Sequence, residues 1–303
     1  MNSPNELGIV HAPLTIGVSG RFVFTVHQSD GCGGVVAGTA RTVAEFPNLI
    51  TNTGLDMIGN ALDPNACVVG SGATAPAFTD TTLVTQVAST TTVNASTASY
   101  SASPEYGQRS QTYRFAAGVA AGNLTEVGMK NGSALWSRAL ILDGLGSPTT
   151  ITVLATEVLD VTYVLRVQPP AADVTGNVVI SGTTYNYTAR PSQTGTWQNI
   201  FGFTSIFVPS ITAYDGAIGA RATQPSGNLA GGSAVANAYS NGSYIRTYTG
   251  TFGLNSANYA NGVTAFSMSS IGYWQFGINA SANIPKNSAQ TLTTTFTVAW
   301  ARV

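Results

Sequence analysis

Charge is the property that this chain of 303 residues lacks most. Only 8% of the residues are Asp, Glu, Lys or Arg, whereas soluble domains average about 25%. Twelve basic and thirteen acidic residues leave a net charge of −1. This balance excludes nucleic-acid binding through a surplus of cations, a polybasic membrane anchor and disorder driven by high net charge. A near-neutral surface promotes association, so the composition favours a protein that is covered by partners.

Lysine is the scarcest charged residue, with Lys130 and Lys286 as its only two positions. Natural β-sheets commonly protect exposed edge strands with Lys and other charges. A β-rich chain that nearly lacks lysine must close its edges or pair them in an assembly. We therefore expect this protein to associate with itself.

Targeting and membrane-spanning segments are also missing from the sequence. Residues 1–7 have neither a basic region nor a long apolar run, which argues against a signal peptide. No apolar run reaches the roughly 18 residues that a membrane-spanning helix needs. Without a secretion signal, we expect Cys32 and Cys67 to be two buried or semi-buried thiols, with a single disulfide as the alternative.

What the sequence does contain is a series of short β-patterned segments separated by Gly, Asn, Ser and Pro. This pattern predicts an all-β fold of antiparallel sheets, resembling a sandwich or jelly roll. A two-residue turn at Ser181-Gly182 predicts a hairpin. The expected strands lie at residues 21–27, 81–84, 90–93, 113–115, 136–142, 150–154, 160–167, 178–180, 185–187, 201–208, 244–252, 273–278 and 294–302.

One short helix interrupts the β pattern near residues 53–62. Thr53 followed by Asp56 fits an N-terminal capping box, and Leu55, Ile58 and Leu62 recur at helical spacing. Pro64 ends the run because the residue before a proline avoids the α region.

Two β domains are expected, separated by the double proline Pro169-Pro170, which cannot continue a sheet ladder. The first domain covers residues 21–168 and the second covers residues 171–303. Residues 1–20 are punctuated by Pro and Gly, and we expect them to form an N-terminal arm that packs on a neighbouring subunit.

Familiar catalytic and cofactor motifs are not found. His11 and His27 are too few for a histidine-led metal site, and no Gly-x-Ser-x-Gly elbow supplies a nucleophile for a catalytic triad. The run at Gly31-Cys32-Gly33-Gly34 lacks the Lys and helix of a phosphate-binding loop. We expect no metal and no organic cofactor.

Paired carboxylates are the serious enzymatic alternative, because two acids suffice for glycoside hydrolysis. Glu157 and Asp160 are three residues apart on one expected strand, which puts them on opposite faces. Asp173 and Asp215 lie in segments that resemble turns, where Asp commonly bonds its own backbone. The candidate acids are Glu105, Glu126, Glu157, Asp160, Asp173 and Asp215.

Several segments in the first half of the chain resemble the structural proteins of tailed-bacteriophage virions, a group that includes tail, baseplate and tail-fibre proteins. The motifs include Thr51-Asn52-Thr53-Gly54-Leu55, Leu124-Thr125-Glu126-Val127-Gly128 and Leu135-Trp136-Ser137-Arg138. In full, the resemblance rests on residues 46–59, 69–83, 124–128, 135–141, 147–153 and 159–163.

The resemblance covers about residues 46–170 and implies a non-enzymatic virion component with no catalytic residues. Such a protein would be assembled in the bacterial cytoplasm and would bind itself and other virion proteins. The alternative is an adhesin-like β-sandwich that binds a host-surface carbohydrate, which would need Tyr or Trp in a groove beside Asp or Asn. A β-fold glycoside hydrolase is the third possibility, and it would need two carboxyl groups about 5–10 Å apart.

Overall fold

The structure, a computed structural model, describes residues 6–7, 11–43, 45–192, 209–278 and 283–303, with side chains from Leu14 onward. These residues form many β-strands and one short α-helix. Every strand pair whose register is resolved is antiparallel, apart from the parallel pair that β1 makes with β22. The predicted all-β fold with antiparallel sheets and one short helix is confirmed.

The elements are numbered along the chain. They are β1 (Glu6–Leu7), β2 (His11–Gln28), β3 (Arg41–Thr42), β4 (Phe46–Pro47), β5 (Leu49–Ile50), α1 (Asn52–Gly59), β6 (Ala66–Gly70), β7 (Gln86–Thr90), β8 (Val93–Ala102), β9 (Glu105–Phe115), β10 (Gly122–Leu124), β11 (Glu126–Asn131), β12 (Ala134–Leu140), β13 (Ile151–Val153), β14 (Glu157–Gln168), β15 (Val174–Ile180), β16 (Thr183–Pro191), β17 (Ser210–Tyr214), β18 (Leu229–Ala236), β19 (Ile245–Phe252), β20 (Ala265–Ser270), β21 (Gly272–Ile278) and β22 (Thr291–Arg302).

The chain divides into two compact units that are not consecutive halves. Unit 1 comprises residues 1–17, 100–107 and 168–301, and unit 2 comprises residues 18–99, 108–167 and 302–303. One division falls between Val167 and Gln168, beside the double proline at Pro169-Pro170. Strands β2, β8, β9, β14 and β22 contribute residues to both units, so the chain passes between them several times.

Unit 1 contains a sheet with the strand order β15-β16-β21-β20-β17-β18-β19-β22. Its core is an aromatic cluster in which Phe276 lies 4.3 Å from Phe296, between ring centroids, and Phe266 lies 6.0 Å from Phe296. The predicted Ser181-Gly182 hairpin is confirmed: Ile180 pairs with Thr183, and both turn residues have positive φ, as a type I′ turn requires.

Unit 2 contains a five-stranded sheet with the order β5-β12-β11-β6-β7 and a small β10-β13 pair. The strands β2, β14, β9 and β8 are hydrogen-bonded neighbours in that order. Phe22 packs against Tyr163 with ring centroids 5.1 Å apart, and the buried Trp136 indole donates to the Tyr163 hydroxyl at 3.1 Å.

The expectation of an N-terminal arm is wrong for residues 11–20, which form the first half of β2. Leu14, Ile16 and Val18 are at most 1% exposed, and they extend the alternation of Phe22 and Phe24 towards the N-terminus. The alternation is difficult to recognise in the sequence because Pro13, Gly17 and Gly20 lie within it. These residues do not break the strand. Deletion of residues 1–20 would therefore remove core side chains.

The short helix is confirmed, but its cap differs from the predicted one. Thr51, and not Thr53, is the N-cap, and its hydroxyl accepts a hydrogen bond from the Gly54 amide at 2.9 Å. The same hydroxyl donates to the Leu135 carbonyl at 2.7 Å. A Cβ at Gly54 would collide with the Trp136 carbonyl, so this glycine lets α1 lie directly on β12.

Most of the expected strands are present within a few residues of their predicted positions. The segment 81–84 is an exception: it is not a strand, and 90–93 divides between β7 and β8. The backbone amide of Val84 donates instead to the Glu126 carboxylate, so it is not available to a sheet ladder. The expected strand at 201–208 lies outside the described residues.

Candidate functional site

The most elaborate polar site in unit 2 is a buried ion cluster of Glu126, Arg138 and Asp80. Glu126 lies on β11 and Arg138 on β12, and a two-residue turn at Gly132 and Ser133 joins these strands. The register pairs Gly128 with Arg138, which makes Glu126 the diagonal neighbour of Arg138 on the same face. The Arg138 Nε atom donates to Glu126 Oε2 at 2.9 Å.

Glu126 holds the segment 71–85 through that segment's backbone. Its Oε1 atom accepts from the amides of Gly72 at 3.0 Å and Thr85 at 2.8 Å, and Oε2 accepts from Val84 at 3.2 Å. The Glu126 side chain is completely buried. A buried carboxylate with four donors is satisfied, and a Cβ at Gly72 would collide with it.

Arg138 and Asp80 complete the cluster at the other end of this segment. The guanidinium of Arg138, 1% exposed, donates to Asp80 Oδ2 and to the Thr74 carbonyl, each at 2.7 Å. Burial opposes ionisation of Asp80, but the Ala77 amide and Arg138 outweigh it and hold the pKa of Asp80 below its ordinary value. The cluster carries one positive and two negative charges, and it binds the backbone of segment 71–85 at both ends.

Several of the motifs singled out in the sequence meet at this cluster and beside it. Segment 69–83 supplies Asp80, segment 124–128 supplies Glu126, and segment 135–141 supplies Arg138. Thr51, in segment 46–59, bonds the carbonyls of β12, and Tyr163, in segment 159–163, bonds Trp136. These motifs therefore build one structural core within unit 2.

The other candidate carboxylates are each held by nearby structural groups. Glu157 accepts hydrogen bonds from the Leu154 amide and from Arg41. Burial opposes ionisation of Glu157, but these two donors outweigh burial and lower the pKa of Glu157. Asp160 binds the Arg114 guanidinium through two hydrogen bonds of 2.8 and 2.6 Å. The remaining pairs are Glu105 with Arg221, Asp173 with Arg190 and Arg221, and Asp215 with Asn228.

These ion pairs do not resemble the acid and base of a glycosidase. Glu105 and Asp173 share the Arg221 guanidinium, as Glu126 and Asp80 share Arg138. A glycosidase acid must be protonated before it reacts, whereas an adjacent guanidinium stabilises the ionised carboxylate. This arrangement is typical of structural charge networks.

The histidine and cysteine residues form no shared site in the described part of the chain. His27 lies on β2, with its Nε2 atom 3.4 Å from Asp160 Oδ2. Cys67 is buried as predicted, and burial raises the pKa of its thiol, but the prediction is wrong for Cys32, which is exposed. The two cysteines are unpaired, and no group of three or more His, Cys, Asp and Glu among the described residues could hold a metal ion.

The strand β8 is an uncharged edge strand. It is the last strand in the order β2-β14-β9-β8, and its residues 93–99 are exposed on both faces. No charged residue lies between Asp80 and Glu105, so β8 lacks the charges that usually protect edges. Its outer N–H and C=O groups can accept another strand.

Unit 1 contains an amide-lined cavity of about 580 Å³ at the loops before β20 and before β22. Its lining includes Lys286, whose side chain is 4% exposed and donates at 2.8 Å to both the Gly253 carbonyl and Asn258 Oδ1. The lining residues are Asn258, Tyr259, Ala260, Asn261, Gly262, Asn283, Pro285, Lys286, Asn287 and Ser288. Sequence reasoning missed this site, because no local motif marks it.

A second polar anchor in unit 1 is the fully buried amide of Gln275 on β21. Its Nε2 atom donates to the carbonyls of Pro191 at 3.2 Å and Ala220 at 2.9 Å. Its Oε1 atom accepts from the Gly219 amide at 2.9 Å. Gln275 thus holds the segment 216–226 without using a charge.

Comparisons with protein-family models, curated proteins and solved structures find no match to this chain. Among the residues that the structure describes, no helix is long and apolar enough to cross a membrane. The features of this chain that bear on its function are the sequence motifs, the ion cluster, the β8 edge and the amide-lined cavity.

Proposed function

We propose that this protein is a non-enzymatic structural component of a tailed-bacteriophage virion, associated with the tail, baseplate or tail fibre. It acts by binding copies of itself and other virion proteins. The observation that carries the proposal is the uncharged, exposed edge of β8. An edge strand without protecting charges is a template for pairing with another chain.

A second copy of β8 is the partner that this edge fits best. Two identical strands that pair antiparallel across a two-fold axis form a self-complementary interface. The side chains of β8 are Val, Asn, Ala, Ser, Thr and Tyr, so no like charges oppose one another in such a pair. Small side chains also allow close approach on both faces.

The distribution of charge supports the same function. In the part of the chain that the structure describes, seven arginines form intramolecular ion pairs, namely Arg21, Arg41, Arg109, Arg114, Arg138, Arg190 and Arg221. Charges that neutralise one another within the chain leave little charge for attracting a partner. Assembly through backbone and apolar contacts is consistent with this surface.

Native mass spectrometry of the purified chain tests self-association directly. The wild-type protein should form an oligomer, and Ser96→Lys should shift it towards the monomer by placing a charge on β8. Ser147→Lys adds the same charge at an exposed turn outside this edge and should leave the oligomer intact. A wild-type monomer at micromolar concentration would reject self-assembly, and an unchanged Ser96→Lys oligomer would reject the β8 interface.

The virion location has a separate test. Particles of a phage that encodes this chain should contain it in stoichiometric amount after purification through a density gradient. Peptide mass spectrometry of the particles measures this directly. Its absence from intact particles would contradict a virion role, whatever the oligomeric state of the purified chain.

A further inference from the structure

The amide-lined cavity of unit 1 has the size and chemistry of a small-ligand site. Its volume of about 580 Å³ lies within the range of about 300–1,000 Å³ that is usual for such sites. Four of the lining residues are asparagines. Asn258 is bonded at both ends of its amide, Asn283 donates to the Asn261 carbonyl, and Asn287 Oδ1 accepts from the Ala289 amide. Among the described residues, the amide of Asn261 and the Asn287 Nδ2 group are donors and acceptors left for a ligand. Clustered amides suit a ligand that carries several hydroxyl groups.

Lys286 gives this cavity a positive charge that no acidic side chain of the lining neutralises. Both groups that accept from its ammonium, the Gly253 carbonyl and the Asn258 amide, are neutral oxygens. An ammonium has three N–H donors, so the partners among the described residues leave one donor for a ligand. Burial lowers the pKa of Lys286, which shows that its charge is poorly solvated.

An anionic group bound at Lys286 would neutralise the charge that the lining leaves unpaired. A buried charge is costly unless it is paired with its opposite, and a carboxylate that accepts from the third N–H would supply that pair. Burial, and to a smaller extent the charge of Asp215, raises the pKa of Tyr259 in the lining. The Asp215 carboxylate is already bonded to the Asn228 amide, and the Tyr259 hydroxyl is directed to the Ala213 carbonyl.

We propose that the cavity binds a carboxylated sugar, with Lys286 bonding the carboxylate and the asparagine amides bonding the hydroxyl groups. Asn261, Asn287 and Ser288 are exposed at the cavity, where they can reach the sugar ring. This binding activity goes beyond the proposed structural role and does not depend on the β8 interface.

The ligand class is tested by titrating the full-length chain with sodium glucuronate, glucose and sodium acetate, followed by NMR or calorimetry. Glucuronate should bind at least about tenfold more tightly than either control, since only glucuronate offers both a carboxylate to Lys286 and hydroxyl groups to the amides. If glucose binds as tightly as glucuronate, the charge of Lys286 does not contribute to ligand recognition. If acetate binds as tightly as glucuronate, the hydroxyl groups do not contribute. Either result, or no binding of glucuronate, would overturn the proposal.

Two substitutions locate the binding. Asn261→Asp puts a negative charge in the lining at an exposed position and should weaken glucuronate binding by about tenfold or more. Asn255→Asp adds the same charge in a nearby exposed loop outside the lining and should change binding less than twofold. Similar weakening by both variants would place glucuronate elsewhere on the surface and overturn the assignment.

Lys286→Met tests the cation itself. It should abolish the preference for glucuronate over glucose, because the remaining lining is neutral. Thermal unfolding and the NMR spectrum report whether the loops at Gly253 and Asn258 keep their structure. If they do not, the Asn261→Asp and Asn255→Asp pair decides the outcome. An intact Lys286→Met variant that keeps the glucuronate preference would contradict the role of Lys286.

Discussion

Unit 2 and unit 1 each hold a long segment in place with one fully buried polar side chain, but one side chain is charged and the other is neutral. In unit 2, the Glu126 carboxylate bonds three amides of segment 71–85 and needs Arg138 beside it. In unit 1, the Gln275 amide bonds Gly219, Pro191 and Ala220 without any counter-ion. Each unit thus holds the backbone of one segment, unit 2 with a carboxylate and its counter-ion and unit 1 with a neutral amide.

The comparison of Glu126 with Gln275 shows what a charge-poor chain gains and risks when it buries one of its few charges. Removing an ion from water costs several kcal/mol, and only a complete set of partners offsets that cost. A buried amide costs less to desolvate and loses less when one partner is removed. The ion cluster is therefore the more brittle anchor, and the Gln275 amide is the more tolerant one.

Loss of Arg138 should have the largest effect. Arg138→Met leaves Glu126 and Asp80 as uncompensated charges, and it should lower the free energy of unfolding by about 3–5 kcal/mol. Urea unfolding followed by tryptophan fluorescence measures the loss, and hydrogen exchange of peptides from segment 71–85 locates it. The double variant Glu126→Gln with Arg138→Met should recover part of the stability, because it removes one orphaned charge. A loss below about 1 kcal/mol would show that the cluster is not a brittle anchor.

Loss of the neutral anchor should be smaller. Gln275→Leu leaves the Gly219 amide and the carbonyls of Pro191 and Ala220 without their side-chain partner, at a cost of about 1–3 kcal/mol. Faster hydrogen exchange should be confined to segment 216–226. If Gln275→Leu costs as much as Arg138→Met in the same urea series, charge is not what distinguishes the two anchors.

The stability contributed by the ion cluster should depend on pH, whereas the stability contributed by Gln275 should not. The pKa of Asp80 is held below its ordinary value of 3.8, so ionised Asp80 contributes stability above that pH and loses it as the pH falls through the lowered pKa. Asp80→Asn should therefore destabilise the protein at pH 7, and its cost should shrink at pH values below 3.8 as the wild-type carboxylate becomes protonated. Urea midpoints at these pH values measure this, with Gln275→Leu as the control whose cost should not change. A constant cost of Asp80→Asn would show that its charge is irrelevant.

Salt should have the smallest effect on assembly. Among the described residues, seven arginines are engaged in intramolecular ion pairs, so these charges are not available to hold subunits together. Sodium chloride between about 0.05 and 1 M, which shortens the screening length to about 3 Å, should leave the oligomer nearly unchanged. Analytical ultracentrifugation at both concentrations measures this. Dissociation in moderate salt would show that electrostatic contacts hold the oligomer.

The sequence predicts those features of the fold that local patterns determine. The strand β14, the Ser181-Gly182 hairpin and the short helix all follow from spacing within about ten residues. The first half of β2 follows from the alternation of Leu14, Ile16 and Val18, but punctuating prolines and glycines hide it. The choice of Thr51 over Thr53 as helix cap depends on contact with Leu135, which no local pattern contains.

The ion cluster lies between these cases. Asn131-Gly132 between two β-patterned segments is a hairpin signal, so the pairing of β11 with β12 could have been predicted. The placement of Glu126 diagonal to Arg138 could not, because it depends on a register shift between Met129 and Lys130. The cavity at Lys286 could not be predicted in this way. Its two loops, at 258–262 and 283–288, meet through the bridge between Val263 and Ile284 and through side-chain hydrogen bonds of Asn283 and Lys286, and nothing in either loop specifies that pairing.

The contrast between the two cysteines gives the protein a built-in position for a spectroscopic probe. Cys32 is exposed in a glycine-rich turn, while Cys67 is buried and its raised pKa suppresses the reactive thiolate. A maleimide dye or spin label should therefore attach to the native chain at one position without any substitution. Distances between labels in neighbouring subunits would then report the symmetry of an assembly directly.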